Sequence, residues 1–380
     1  MDLSLFLEIF HKLHTEYFFF MKPSAHFGPG PSQIYFTVED HLRKAFREGI
    51  PSLGHRTQAF ESIFKNTTEN LRTLLGAPAD FHVFFAASAT EIWERSIQNL
   101  VIEKSFHLVN GSFSNRYFEI ATLLGKSAEK ITAPLGEAFS SDVKVHPDTE
   151  LIGLTHNETS TGVSLSMDFV NQFRTTHPHS LIVVDAVSSL PYPQFDYTKI
   201  DSVFFSVQKG FGLPAGLGVW LVNERCMAKA ESLLAQGHRI GTYHSLPFYL
   251  QNAKKNQTPE TPNVLGIYLL GKVVEDFLRR GIQTIRKETE YKSAILYQIL
   301  DNHPFLSGFV KDKKTRSQTV IVANTGEKTD WLNNELTKMG IQPGDGYGAN
   351  KKTQLRFANF PAHSKEQYEW LVDSLEKLKN

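Results

Sequence analysis

Cysteine is all but missing: Cys226 is the single one in 380 residues. That excludes an intramolecular disulfide framework and any cluster or zinc site built on several thiolates, and it fits a reducing compartment, the cytoplasm. Net charge is missing too. The 40 Lys+Arg set against 40 Asp+Glu favour neither a cationic grip on nucleic acid nor an acidic solvating chain, so small molecules or proteins are the expected partners. The histidines of HKLH and HPH carry no zinc-ligand spacing, and no metal is expected. No apolar run is long and clean enough to span a bilayer. In the N-terminal MDLSLFLEIFHKLHTEYFFF, the residues Asp2, Glu8, His11, Lys12, His14 and Glu16 interrupt every run, and neither the start nor the end resembles a secretory signal. Met21 opens the motif-bearing chain and is expected to be the natural start, with residues 1–20 upstream of it. Solenoid-type repeats and low-complexity tracts are also missing, which leaves an ordinary globular arrangement.

What is present is alternation. Helical spacing covers Phe36 to Glu48 and Gln58 to Leu75, the latter stopping at Gly76. Strand-then-helix pairs follow: HVFFAA before SATEIWERSIQNLVI, HLVNG before a helix from about Asn115, and LIGLTH before MDFVNQFRTT. The strands SLIVVDA, DSVFFSVQ and GVWLV come next. They are apolar on both faces, as only strands of a helix-covered, mostly parallel sheet need to be. After about Leu265 the texture changes to two long amphipathic helices, a TVIVAN strand, a helix near Asp330 to Met339, the strand QLRFANF and a closing helix from Ser364, an α+β pattern.

The chemistry concentrates in FFSVQKGFGLPAGLGVW. A strand delivers Gln208 and Lys209 to its end, and Gly210, Gly212, Gly216 and Gly218 keep the backbone beyond it close and turned. Lys209 is then either a loop lysine on the surface or an amine in a partly dry cleft, nucleophilic toward a carbonyl and able to form a Schiff base. Asp185 ends the strand SLIVVDA, 209 − 185 = 24 residues earlier, far enough for one crossover. It either caps the next helix or, beside a lysine at the same sheet edge, supplies the carboxylate that keeps a pyridoxal phosphate ring nitrogen protonated. Ser88 to Glu91 form a capping box, so a helix begins there. Its free N–H groups either only start that helix or also cup a phosphate.

In order and interval, SLGHRTQAF, HNETSTGV, DAVSSL and SVQKGFGLPAGLG resemble the class V aminotransferases of the pyridoxal-phosphate fold type I group, over roughly Pro23 to the C-terminus. The likeness is greatest to members that transaminate phosphoserine with 2-oxoglutarate. The alternative is a small unphosphorylated amino acid such as alanine or serine, with glyoxylate, pyruvate or 2-oxoglutarate as acceptor. The resemblance implies an α/β fold, with a mostly parallel seven-stranded-type sheet in a large cofactor domain (35–265) and a small α+β C-terminal domain (266–380). Residues 1–34 would be an extension with a segment packing on the small domain. It implies pyridoxal 5'-phosphate, amino and keto acids as substrates, and a homodimer with shared active sites.

Residue by residue, it implies Lys209 as the Schiff-base lysine and Asp185 as the ring-nitrogen partner. Thr159 would bond the phenolic oxygen, Phe113 would lie on the ring face, and Gln208, Ala89 and Thr90 would receive the phosphate. Thr261, or with a different gap Thr258, would cross from the other subunit. For substrate it implies His55 and Arg56 at the distal anion and Arg356 at the α-carboxylate, where a guanidinium can grip with two parallel hydrogen bonds. Two family features are replaced: Glu91 stands where an arginine is common. Ala349 and Asn350 stand where a His-Arg pair is common, with Lys351 and Lys352 next as possible substitutes. Two rivals remain. A carbon–sulfur lyase on the same scaffold would need Cys226 mobile, although NERCMAKA reads as a helix start. A dinucleotide-binding module would need the glycines of GFGLPAGLG to open a helix, although they lead into a strand.

Overall fold

The computed structural model describes residues 24–379, so the expectations about Met21 and the twenty residues before it lie outside the described residues. In chain order the strands are β1 (Ala25–Phe27), β2 (His82–Ala86), β3 (Lys104–Val109), β4 (Ser127–Thr132), β5 (Leu151–Thr155), β6 (Asn157–Glu158) and β7 (Val163–Ser164). They continue with β8 (Leu181–Asp185), β9 (Ser202–Ser206), β10 (Gly218–Val222), β11 (Ser307–Gly308), β12 (Val320–Asn324), β13 (Ile341–Asp345) and β14 (Gln354–Ala358). Seven of them lie in the order β2-β10-β9-β8-β5-β3-β4, parallel except for β10. Every residue of β5, β8, β9 and β10 is buried, as the two-sided apolar pattern requires.

Alternation along the strands divides the core into two layers. Val203, Phe205, Val219 and Leu221 share one apolar cluster with Phe60, Leu71, Ile267 and Val274 of the helices Gln58–Leu75 and Val264–Arg280. Phe204, Trp220 and Val183 point the other way, into a cluster with the helices Ala89–Leu100, Ser112–Leu123 and Glu224–Ala235. The second sheet has the order β1-β13-β14-β12-β11, antiparallel but for the β1–β13 pair. The helices Ile282–Asn302, Thr329–Lys338 and Lys365–Lys377 cover it around Phe27, Ile321, Leu355 and Phe357. Thus Val264–Arg280 packs with the large core and Ile282–Asn302 with the small one.

The helix Ser112–Leu123 begins three residues before the Asn115 expected from local pattern. Its cap comes from elsewhere in the chain: the N–H groups of Phe113 (3.3 Å) and Ser114 (2.9 Å) donate to the carboxylate of Glu158. Because β2, β3, β5, β8 and β9 all run the same way, their C-terminal ends share one edge, where α/β sheets place their ligands.

Phe204 is fully buried in the central strand β9, its ring 6.2 Å from that of Tyr117 in an edge-on contact. Phe204→Ala is expected to destabilise the chain by about 3–5 kcal/mol, read as a lower thermal unfolding midpoint.

Candidate active site

Each strand of that edge contributes to one cavity of about 200 Å³. After β2 come Ser88, Ala89 and Thr90 with Trp93 one helical turn on, and after β3 comes Phe113. Beyond β5 lie Asn157 and Thr159, β8 ends in Asp185, and Ser206, Gln208 and Lys209 follow along β9. Gly30 and Pro31 cross above. A Cβ on Gly30 would stand 2.7 Å from Lys209 Cε, so only glycine lets the N-terminal segment cover that lysine. At the far end, a Cβ on Gly218 would sit 2.6 Å from the Ser88 carbonyl carbon, which lets β10 lie flush against the helix start.

Lys209 and Asp185 are both buried, at 7% and 3% exposure. Burial pushes the lysine down to about 8, with the Asp185 charge opposing and the Arg356 guanidinium adding to the fall. Burial pushes Asp185 up to about 6, against the N–H donors of Val187 and Trp93 and the charge of Lys209. Trp93 Nε1–H donates to Asp185 Oδ2 at 2.8 Å and Val187 N–H to Oδ1 at 2.9 Å. Lys209 Nζ donates to Thr159 Oγ1 at 3.3 Å and stands 5.2 Å from the centre of the Phe113 ring. Amine and carboxylate face one cavity without a direct ion pair between them. At its phosphate-like end, Ser206 Oγ takes the Ala89 N–H (2.9 Å) and Ser88 Oγ the Glu91 N–H (3.1 Å). That leaves Thr90 as the open N–H of the first three, and Gln208 Oε1 is buried with no partner.

The family profile for class V aminotransferases matches residues 26–347. The chain belongs to the class V aminotransferase family. Among solved structures, phosphoserine aminotransferase from Cytophaga hutchinsonii is 51% identical, covering 94% of this chain and 99% of that one at a TM-score of 0.92. Phosphoserine aminotransferase of Rhodococcus opacus is 27% identical over 92% of this chain and 94% of its own length. The enzyme of that name from Bacillus circulans, 21% identical, covers 94% of this chain and 98% of its own at a TM-score of 0.80, a likeness of fold.

The fold expectation therefore stands: a seven-stranded, mostly parallel sheet joined to a smaller α+β unit, as in this family of transaminases. Of the residues singled out by sequence, the structure brings Ala89, Thr90, Phe113, Thr159, Asp185, Gln208 and Lys209 together. Arg356 sits at the rim, donating from Nε to the Asp345 carbonyl (2.6 Å) and from Nη1 to the Thr159 carbonyl (3.3 Å), with no carboxylate partner among the described residues.

Arg56, His55 and Thr261 do not line the cavity. Arg56 donates from Nη1 to Gln257 Oε1 and the Thr258 carbonyl, both at 2.8 Å, and from Nη2 to the Pro259 carbonyl at 3.2 Å. Half-buried His55 lies next to it, its pKa lowered by burial and by that guanidinium. Thr261 is exposed, whereas Thr258 is buried and gives its hydroxyl to the Glu260 carbonyl at 2.7 Å. Lys351 is exposed and pairs with Asp345 at 3.4 Å, and Lys352 is exposed on the same short turn. Glu91 folds back to accept the Ala87 N–H at 2.9 Å. Cys226 is fully buried in the helix Glu224–Ala235, its thiol pushed well up by burial, which is not the exposed thiolate a lyase needs. The glycines after Lys209 lead into β10.

Two contributors escaped the sequence reading. Trp93 lies four residues after Ala89 on one helix face, a spacing that pointed to it. Glu158, in the same motif as Thr159, is fully buried and accepts from Ser114 Oγ (2.8 Å) and Ser160 Oγ (2.6 Å) besides the N–H groups of Phe113, Ser114 and Ser160. Nothing in the local pattern marked it as a cap for a helix 45 residues earlier.

The raised pKa of Asp185 has a sign. Between about pH 4 and 6 the folded, cofactor-free chain binds a proton that the unfolded chain has lost, so stability falls as pH rises through that window, then stays lowered. Unfolding of the cofactor-free protein at pH 4 and pH 7 should show Asp185→Asn gaining, relative to the parent, up to about 3 kcal/mol across the interval.

Proposed function

We propose that the chain is a pyridoxal-phosphate-dependent transaminase moving the amino group between phosphoserine and 2-oxoglutarate. The observation that carries the reading is the pair of buried opposite charges, Lys209 and Asp185, facing one cavity without touching. A buried carboxylate and ammonium held apart are costly unless a third group answers both. Pyridoxal phosphate does so, with an aldehyde carbon at one side of its ring and a protonated nitrogen at the other. The residues fit that group: Asp185 would meet the ring nitrogen, Phe113 would pack on the ring face, and Thr159 would bond the phenolic oxygen. The open N–H of Thr90, with the Ala89 turn and the Gln208 side chain beside it, would receive the phosphate.

When bound, the cofactor supplies a carbonyl for amine exchange and a ring that accepts the electrons of a breaking Cα–H bond. Lys209, as a free amine, would take the proton from the substrate's Cα as general base. Its pKa of about 8 keeps a useful share of it neutral near pH 7.5. Asp185 would hold the proton on the ring nitrogen, which a dry site makes worth more than water would. Arg356, with no acid of its own, grips the substrate α-carboxylate.

Phosphoserine as the donor rests on the 51% identical relative of that name, which covers nearly the whole chain. Two observations support a shared, dimeric site. Arg56 and the Thr258–Thr261 segment are tied to each other by hydrogen bonds, and neither reaches the chain's own cavity. In a second copy they would meet the partner's phosphate and substrate. Domain limits near 34 and 265 and a cytoplasmic setting complete the reading.

An absorption spectrum of the purified protein tests it. A visible band that bleaches with L-phosphoserine and not with serine is the expected result, whereas a colourless protein, or bleaching by serine alone, refutes cofactor or donor respectively. Lys209→Ala should abolish the band and transamination. Recombination of cofactor-free protein with pyridoxal phosphate should accelerate up to about pH 8 and then level off, because only the neutral amine attacks. For an unperturbed lysine the rise would continue past pH 10.

A further inference from the structure

Arg356 is held in place by few groups. Its two hydrogen bonds go to backbone carbonyls, and Nη2 has no partner among the described residues. The remaining support is the ring of Tyr347: the guanidinium carbon lies 5.4 Å from the ring centre. The same ring meets Phe113, centres 5.0 Å apart and tilted by 46°, and Phe113 in turn lies 5.2 Å from Lys209 Nζ. Lys209, Phe113, Tyr347 and Arg356 thus form one continuous row from the reacting amine to the rim. Phe113 belongs to a helix of the large sheet, whereas Tyr347 and Arg356 belong to the small sheet, one on the turn after β13 and the other in β14. Tyr347 is 40% exposed, so its ring is not a core residue. It stands in the stretch where the family's common His-Arg pair is replaced, and no cation takes that place at the cavity.

We propose that Tyr347 is a positioning residue for substrate: its ring carries the Arg356 guanidinium and leans on Phe113. It thereby sets the distance and angle at which Arg356 meets the α-carboxylate over the cofactor site. A guanidinium stacked on an aromatic face keeps its planar fork free to bond a carboxylate, while the ring removes the rotamers that would swing it into solvent. The role belongs to the ring, since the hydroxyl has no hydrogen-bond partner among the described residues. The proposal rests on the transaminase reading above and assigns to its carboxylate grip a support that reading does not contain.

The test uses the cofactor-loaded enzyme with Tyr347→Ala and Tyr347→Phe, measuring KM and kcat for the amino donor. Calorimetric titration of the cofactor-free chain with maleate, a dicarboxylate that cannot be transaminated, runs beside it. Tyr347→Ala should raise both KM and the maleate Kd by about tenfold with kcat within about twofold, the range of a partly desolvated cation–π contact. Tyr347→Phe should restore both values. The proposal is overturned if the alanine variant keeps the parent's KM and maleate affinity, if kcat falls while KM holds, or if phenylalanine is as impaired as alanine. A parent that fails to transaminate would sink the functional reading, and the maleate comparison would still decide the role of Tyr347.

Discussion

The structure depends on keeping two opposite charges buried and apart. Lys209 and Asp185 are carried to one edge because β8 and β9 are parallel neighbours, in register from Val183 with Ser202 to Asp185 with Phe204. Had the chain allowed them to meet, the ion pair would satisfy itself and leave nothing for a ligand. Instead, Asp185 is tethered by the Trp93 and Val187 N–H groups and Lys209 leans on Thr159, with the cavity between them. The displaced pKa values are the electrostatic signature of that separation, since burial is the first cause of both.

The separation requires rigid supports, and these are strand ends and helix starts rather than loops. Glu158 shows the principle. Fully buried and in no salt bridge among the described residues, it accepts from the first turn of the helix Ser112–Leu123, where N–H groups and the helix dipole favour an anion. This places Phe113 over the cavity, and the adjacent Thr159 beneath Lys209, from one short segment. Two residues of the site are therefore positioned by a third that need not touch the substrate.

Sequence legibility followed the same physics. Strands buried on both faces, such as LIVVD and SVFFS, announce themselves as apolar runs, and residues at their ends inherit an address; hence Asp185, Gln208 and Lys209 were readable from local pattern, whereas Thr159 came only from the family resemblance. The helix Gln58–Leu75 agreed residue for residue because both its boundaries are local, a Thr57 cap and a terminating Gly76. What escaped was set by partners remote in sequence. β4, SAEKIT, is a mostly exposed edge strand held by β3 alone, so it carries no core pattern. β13, IQPGD, contains proline and glycine and is a strand only because β1 and β14 flank it. The cap by Glu158 and the Trp93 bond to Asp185 span 45 and 92 residues, beyond any local motif.

Reaction and substrate are thus encoded in different parts of the molecule. The groups that would do chemistry project from the large sheet, where moving one strand would disrupt a close-packed core. The groups that would recognise a substrate's charge lie on the small sheet and on surface segments: Arg356 in β14, Arg56 before the first long helix, Lys351 and Lys352 on an exposed turn. Such positions accept substitution at little cost to the fold. On the helix Ala89–Leu100 of the large sheet, Glu91 accepts the Ala87 N–H where the resemblance places an arginine. With the proposed cofactor and donor bound, a carboxylate at that turn would disfavour a second anion beside the cofactor phosphate, and a distal phosphate on the substrate would have to be met from elsewhere. Arg56, which lies outside its own chain's cavity and is already bound to the Thr258–Pro259 backbone, is the guanidinium that a second subunit could present there. If two subunits share the site in this way, specificity can drift at their boundary while the buried charge pair stays where it is.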